Sequence, residues 1–249
     1  MVPVISFGQL TLPTGPIITL FAILLGLEVT GRYGRRLGLS PDDLWNTGLL
    51  ALLAGIIVAR LWNIIGFWDI YLSEPLLILS IRPGGFVLWP GVITAIIAAY
   101  LYLLRKALHP GRVAAAFTIG AVAAGILLAI GAFLTGSLMG LPSTWPWAIL
   151  EWGELRHPVA LYQAAGLLLL LGVLWRWSDT NRPGHTMLLA LLGYSLIRLV
   201  TDAFVAEATL WGSFRASQVV ALVAALSITW RLTRQGYKPK PQARGEAER

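Results

Sequence analysis

Seven apolar windows dominate this chain, running over 15–31, 44–65, 86–104, 113–134, 158–177, 186–205 and 214–232. Each matches the roughly 20 helical residues needed to cross a hydrocarbon core about 30 Å thick. Lipid offers no hydrogen bonds to an open backbone, so a continuous apolar run of this length is a helix. The windows therefore specify an all-α polytopic membrane protein, with short interfacial helices in the outward loops. Composition agrees: 57% of residues are hydrophobic and 12% charged, with mean hydropathy +0.72, whereas a soluble domain carries about 25% charged residues. The first window lacks a short apolar core followed by a small-residue cleavage site and runs into Gly31-Arg32, so it reads as a retained helix.

Basic residues cluster after alternate spans. Arg32, Arg35 and Arg36 follow the first, Arg105, Lys106 and Arg112 the third, and Arg176 and Arg182 the fifth. Arg231, Arg234, Lys238, Lys240, Arg244 and Arg249 follow the seventh. By the positive-inside rule that face is cytoplasmic, which puts the N-terminus outside and the C-terminus inside. The net charge of +7 is thus topology and contact with anionic lipid, and nucleic acid is excluded as a partner. Residues 1–234 read as one transmembrane domain, and 235–249 as a polar, disordered cytoplasmic tail. Cysteine is absent, so any thiol in the chemistry belongs to a substrate, and neither a metal nor a cofactor is expected.

Charges inside or beside the spans mark the candidate site. An intramembrane arginine costs about 2.5 to 3.5 kcal/mol on insertion scales, and so faces an anionic ligand, a carboxylate or a polar cavity. Arg60 and Arg198 lie in the outer half of spans two and six, at one level, and are expected to border one cavity open to the outer leaflet. Asp202 is four residues beyond Arg198 on the same helical face. His157 opens the fifth span, Tyr162 lies somewhat more than one turn deeper, and Arg82 and Arg156 sit at the outer interface. Glu28 and Arg32 are spaced for a surface ion pair. The segment from Phe67 to Leu72 mixes aromatic, apolar and acidic residues like an interfacial helix, and Trp145, Trp147 and Trp152 mark a second outward element. Arginine presents planar paired donors to phosphate oxygens, so a cluster of cations on the outer leaflet points to a phospholipid. A pore or transporter is disfavoured, because neither an internal repeat nor a row of intramembrane acids is seen.

Several local sequences, taken in order, resemble one family. These are Arg36-Leu37-Gly38-Leu39-Ser40-Pro41-Asp42-Asp43-Leu44, then Gly55-Ile56-Ile57-Val58-Ala59-Arg60-Leu61, and Trp68-Asp69-Ile70-Tyr71-Leu72 ahead of Gly84-Gly85. Further on come Thr135-Gly136-Ser137-Leu138-Met139-Gly140, Pro146-Trp147-Ala148, His157-Pro158-Val159-Ala160-Leu161-Tyr162-Gln163, and Gly193-Tyr194-Ser195-Leu196-Ile197-Arg198 with Asp202. Together they are similar to the prolipoprotein diacylglyceryl transferases over nearly the whole chain. The resemblance implies seven spans, an outside N-terminus and a place in a bacterial cytoplasmic membrane. It also implies transfer of diacylglyceryl from phosphatidylglycerol to the cysteine of a lipobox preprotein, with release of glycerol phosphate. Arg60, Arg198 and Asp202 match family positions for binding and gating. Arg82 and Gly140 are assigned to substrate binding, and His157 and Tyr162 to proton handling.

Departures from the family pattern bear on the reaction. Trp89 stands at the family's third-span histidine, and Thr14-Gly15 at its first-span Tyr-Gly. Ala129, Ala132, Thr135 and Ser137 stand where the family has an arginine, two asparagines and a glutamate. Tryptophan donates one N–H and cannot act as a base, and alanine does neither. Two readings stay open: an impaired or altered transferase, and a non-catalytic lipid-binding subunit of a membrane complex.

Overall fold

The computed structural model describes residues 4–7, 10–79 and 85–236. Arg82 and Gly84, and the tail beyond Gly236, lie outside the described residues. Among the described residues, seven helices are long and apolar enough to cross a membrane: α1 (Thr14–Arg36), α2 (Pro41–Gly66), α4 (Leu88–Arg105), α5 (Pro110–Thr135), α6 (Val159–Trp177), α7 (Pro183–Thr201, continued by a 3₁₀ turn to Phe204) and α8 (Ala216–Gly236). A short helix, α3 (Trp68–Ser73), and a 3₁₀ turn over Pro75–Leu79 fill the connection after α2, where an interfacial helix is expected. The described residues also form three small antiparallel hairpins: β1–β2 (Val4–Phe7, Leu10–Pro13), β3–β4 (Ile149–Glu151, Glu154–Arg156) and β5–β6 (Leu210–Trp211, Phe214–Arg215).

The chain forms two compact units, 21–124 and 1–20 with 125–249, whose boundaries fall within α1 and α5. In the unit 21–124, α1 stops where Gly38 takes φ +73°, and Leu37 and Leu39 donate back to the Gly34 carbonyl, each at 2.9 Å. Ser40 and Pro41 then start α2, with Asp42 and Asp43 in its first turn, where carboxylates complement the helix dipole. Arg32 pairs with Glu28 at 2.7 Å on the α1 surface, as the spacing predicts. α2 and α4 meet backbone to backbone at Gly55 and Gly91. A Cβ on Gly91 would lie 2.8 Å from the Gly55 carbonyl oxygen and 2.9 Å from Ala59 Cβ, so the close approach exists only because both residues lack a side chain.

In the other unit, α6 buries Ala160, Ala164, Leu167, Leu170 and Leu174, one stripe of three- and four-residue steps. Leu168 and Leu169 on its opposite face are 61% and 73% exposed. An apolar outer face of this kind fits hydrocarbon as its solvent, and the chain is a membrane protein.

Gly91→Val is expected to force α2 and α4 apart and to cost about 1 to 3 kcal/mol. The check is the thermal transition of the detergent-solubilised protein, read by loss of the monodisperse chromatographic peak.

Candidate functional site

Beyond α5 the chain turns at Gly136 (φ +67°) and runs as an extended segment through 139–143. On one side Gly140 bridges to Val205, Leu141 N–H donates to the Phe204 carbonyl at 2.8 Å, and Ala206 N–H donates to the Met139 carbonyl at 2.9 Å. On the other side Pro142 bridges to Arg156, Ser143 N–H donates to Leu155 O at 2.8 Å, and His157 N–H donates to Leu141 O at 3.0 Å. The segment thus stitches the end of α7 to the start of α6. Gly140 is buried, and a Cβ there would come within 2.0 Å of the His157 carbonyl oxygen, so only glycine fits.

His157 and Tyr162, the expected proton-handling residues, come together. Nδ1 of His157 is 3.2 Å from the Tyr162 hydroxyl, which also accepts from Trp147 Nε1 at 2.8 Å. Indole can only donate, so the Tyr162 oxygen has one lone pair committed and can still exchange a proton with the imidazole. Trp145 and Phe204 pack around the His157 ring at 5.6 and 4.8 Å between centroids, and His157 is buried.

Arg198 and Asp202 pair as expected. Nε of Arg198 donates to Asp202 Oδ2 at 3.1 Å, and Nη2 lies 2.9 Å from the same oxygen in an ion pair. Asp202 is 2% exposed, and its second oxygen, Oδ1, has no partner among the described residues, whereas the Arg198 side chain is 37% exposed. The buried carboxylate holds the guanidinium, and the guanidinium faces a cleft of about 500 Å³ between α7 and α8, lined also by Tyr194, Ser195, Ser217, Val220 and Ala221. Arg215 braces the same corner by donating to the carbonyls of Asp202 at 2.9 Å and Val205 at 2.5 Å.

Arg60 belongs to the other compact unit and is engaged differently. Its Nη1 donates to Gly85 O at 2.8 Å and its Nη2 to Leu77 O at 2.5 Å, and the guanidinium lies 5.5 Å from the Tyr71 ring centroid and 5.4 Å from that of Phe86. It clamps the α2–α4 connection. Trp89 is 73% exposed in the first turn of α4. Ala129 is buried in α5, and the Thr135 hydroxyl donates to Gly131 O at 2.8 Å and lies 3.2 Å from the Ser137 hydroxyl.

Glu151 and Arg215 escape a reading of the sequence, which of this group places only Arg156 at the outer interface. Glu151 is 3% exposed, and its Oε2 has no partner among the described residues. Burial raises its pKa, while Arg156 and a hydrogen bond from the Gly140 backbone pull the other way. Arg156 donates to Gly140 O at 3.0 Å and pairs with Glu154 at 2.6 Å. One hairpin therefore holds the Gly140 residue by both its nitrogen and its carbonyl. Its sequence signal is Trp152-Gly153, a two-residue turn with both φ positive (53° and 85°) between short alternating strands. Arg215 follows a second two-residue turn, Gly212-Ser213, in which only Gly212 has positive φ (+62°).

Among the described residues, seven apolar spans, one of them carrying an aspartate-paired arginine on a cleft between α7 and α8, define a polytopic membrane protein. The sequence pattern of the family described as prolipoprotein diacylglyceryl transferase matches residues 3–233, and the chain belongs to that family. It is similar to the phosphatidylglycerol–prolipoprotein diacylglyceryl transferase of Clostridioides difficile, 26% identical over 207 residues, covering 82% of this chain and 83% of that protein. The like-named protein of Thermosynechococcus vestitus is 24% identical over 250 residues, 95% of this chain and 93% of the other. That of Ruegeria pomeroyi is 34% identical over 173 residues, 61% of this chain and 58% of the other.

Glu151 supplies a pH test. Its folded-state pKa lies above the ordinary 4.5, so the folded state binds the proton more tightly than the unfolded state does. Its contribution to stability is complete below that value and is lost as pH rises through the folded pKa. Thermal transitions measured from about pH 4 upward should therefore show a falling component, and Glu151→Gln should flatten it.

Proposed function

We propose that this chain binds an anionic glycerophospholipid of the phosphatidylglycerol type from the outer leaflet, in a family fold whose diacylglyceryl transfer is impaired or altered. The observation that carries this reading is the Arg198 cleft. Asp202 takes Nε and Nη2, leaving Nη1 with no partner among the described residues on a guanidinium fixed in direction. A phosphate in the cleft would complete that set of donors, and the apolar wall of Val220 and Ala221 suits an acyl chain. The orientation that goes with this reading puts the N-terminus outside and the basic tail in the cytoplasm of a bacterial cell.

Reduced transfer follows from side-chain chemistry. Moving diacylglyceryl to a thiol requires a group that favours the thiolate and donors for the departing glycerol phosphate. Trp89 and Ala129 supply neither, and the Thr135 hydroxyl already has an acceptor in its own helix. What remains is a membrane subunit that holds lipid for, or presents it to, a protein partner such as a lipobox preprotein. The His157–Tyr162 pair favours the second reading, a retained transferase, because an imidazole within 3.2 Å of a phenol can relay a proton.

The purified protein in phosphatidylglycerol liposomes, given a lipobox peptide, should yield no diacylglyceryl adduct by mass spectrometry. It should retain phosphatidylglycerol through purification, and Arg198→Gln should lower that retention roughly ten-fold. Robust adduct formation abolished by His157→Ala would establish the retained transferase instead.

A further inference from the structure

A second cleft lies within the unit 21–124, among α2, α4 and α5, with a volume of about 440 Å³. Thr47, Ala99, Tyr100, Leu103, Val113 and Phe117 are among its walls. The Thr47 hydroxyl is already donated to Asp43 O at 2.6 Å, so only Tyr100 brings an uncommitted polar group. Ile96 and Tyr100 are 64% and 53% exposed, so the cleft is open along its side. A dry apolar cleft at the depth of a bilayer is filled by hydrocarbon.

The end of this cleft is cationic. α4 supplies Leu103 to the wall and stops two residues later at Arg105, and α5 supplies Val113 one residue after Arg112. Between them the chain reverses tightly: Ala107 takes φ +51°, Lys106 N–H donates to Tyr102 O at 3.0 Å, and Leu108 N–H donates to Leu103 O at 3.0 Å. The turn keeps Arg105 and Lys106 within one helical turn of the wall residue Leu103. Lys106 engages the Asp43 carboxylate, which accepts from Tyr102 at 3.3 Å and pairs with Lys106 at 3.4 Å. Arg112 reaches a carbonyl, Leu37 O, at 3.4 Å, and Arg105 is exposed with no partner among the described residues. The turn therefore carries three permanent cations, of which only Lys106 is paired with a carboxylate among the described residues, beside an opening sized for hydrocarbon.

We infer that this cleft is a separate binding site for an anionic glycerophospholipid of the leaflet that the positive-inside rule makes cytoplasmic, with an acyl chain between α4 and α5 and its phosphate at Arg105 and Lys106. The cleft lies within the unit 21–124 and shares no residue with the Arg198 cleft, so this lipid is distinct from any lipid held at Arg198. The site goes beyond the function proposed above and does not depend on transfer chemistry.

The test uses the full chain in phosphatidylcholine nanodiscs carrying trace phosphatidylglycerol or phosphatidylcholine with a photoactivatable diazirine at the end of one acyl chain. After irradiation, peptides spanning 96–117 should carry adducts from the phosphatidylglycerol probe in roughly ten-fold excess over the phosphatidylcholine probe. The double variant Arg105→Gln, Lys106→Gln should abolish that excess, and Arg198→Gln should leave it intact while reducing adducts on α7 and α8. Equal labelling by the two probes, no adducts on 96–117, or cross-links there to a second copy of the chain would overturn the inference. Loss of only the α7 and α8 adducts with Arg198→Gln in the same sample tests the outer site by itself. Because the unsubstituted protein carries the first comparison, the result does not hinge on a variant folding.

Discussion

Hydrocarbon supplies no hydrogen-bond partners, so every cation this chain carries into its spans has to bring an acceptor with it. The arginines solve that problem in different ways. Arg60 uses the carbonyls of a loop, Gly85 and Leu77, and its charge becomes part of the architecture. Arg198 uses a side chain, the buried Asp202, and keeps part of its guanidinium facing a cleft. The choice of acceptor separates an arginine held by backbone carbonyls from one whose guanidinium lines a cleft. A carbonyl clamp absorbs the donors and fixes a connection. A carboxylate on the same helix balances the charge while taking only one edge of the fork, leaving the rest directed outward.

The second consequence of that constraint is seen at the extended segment 139–143. Its backbone groups cannot rely on lipid or on a helix, and they are answered by strand-like bonds from Phe204, Ala206, Leu155 and His157. Glu151 and Arg156 reinforce the same segment with charged groups, and Arg215 holds the Asp202 and Val205 carbonyls beside it. Irregular backbone near the membrane is therefore tolerated because the β3–β4 hairpin and the end of α7 bond to it on either side. The aromatic cluster of Trp145, Trp147, His157, Tyr162 and Phe204 sits against this frame and takes its geometry from it.

Span positions and the α3 segment are legible in the sequence because hydrocarbon thickness imposes a length and because aromatic and acidic residues mix only at an interface. The Arg198–Asp202 pair is legible for a related reason, since four residues on a helix fix proximity. What Arg60 does is not legible: its acceptors lie 17 and 25 residues away in an irregular connection, and no periodicity encodes them. The hairpins are too short for alternation to stand out, and Trp152 and Trp211 look like members of an aromatic belt until the glycine that follows each is read as a turn. Glu151 is hidden for the same reason, because a carboxylate in an outward loop is ordinarily solvated and its burial depends on where Gly140 and Arg156 pass.

The missing side chain at Gly140 has a mechanical meaning. With the His157 carbonyl filling the place of a Cβ, and with the Gly140 nitrogen and oxygen both gripped by the β3–β4 hairpin, neither backbone can shift alone. The start of α6, the end of α7 and the hairpin are geared into one lever. A displacement of any one of the three therefore has to carry the other two with it, so the frame beside His157 is held as a unit and not as a loop.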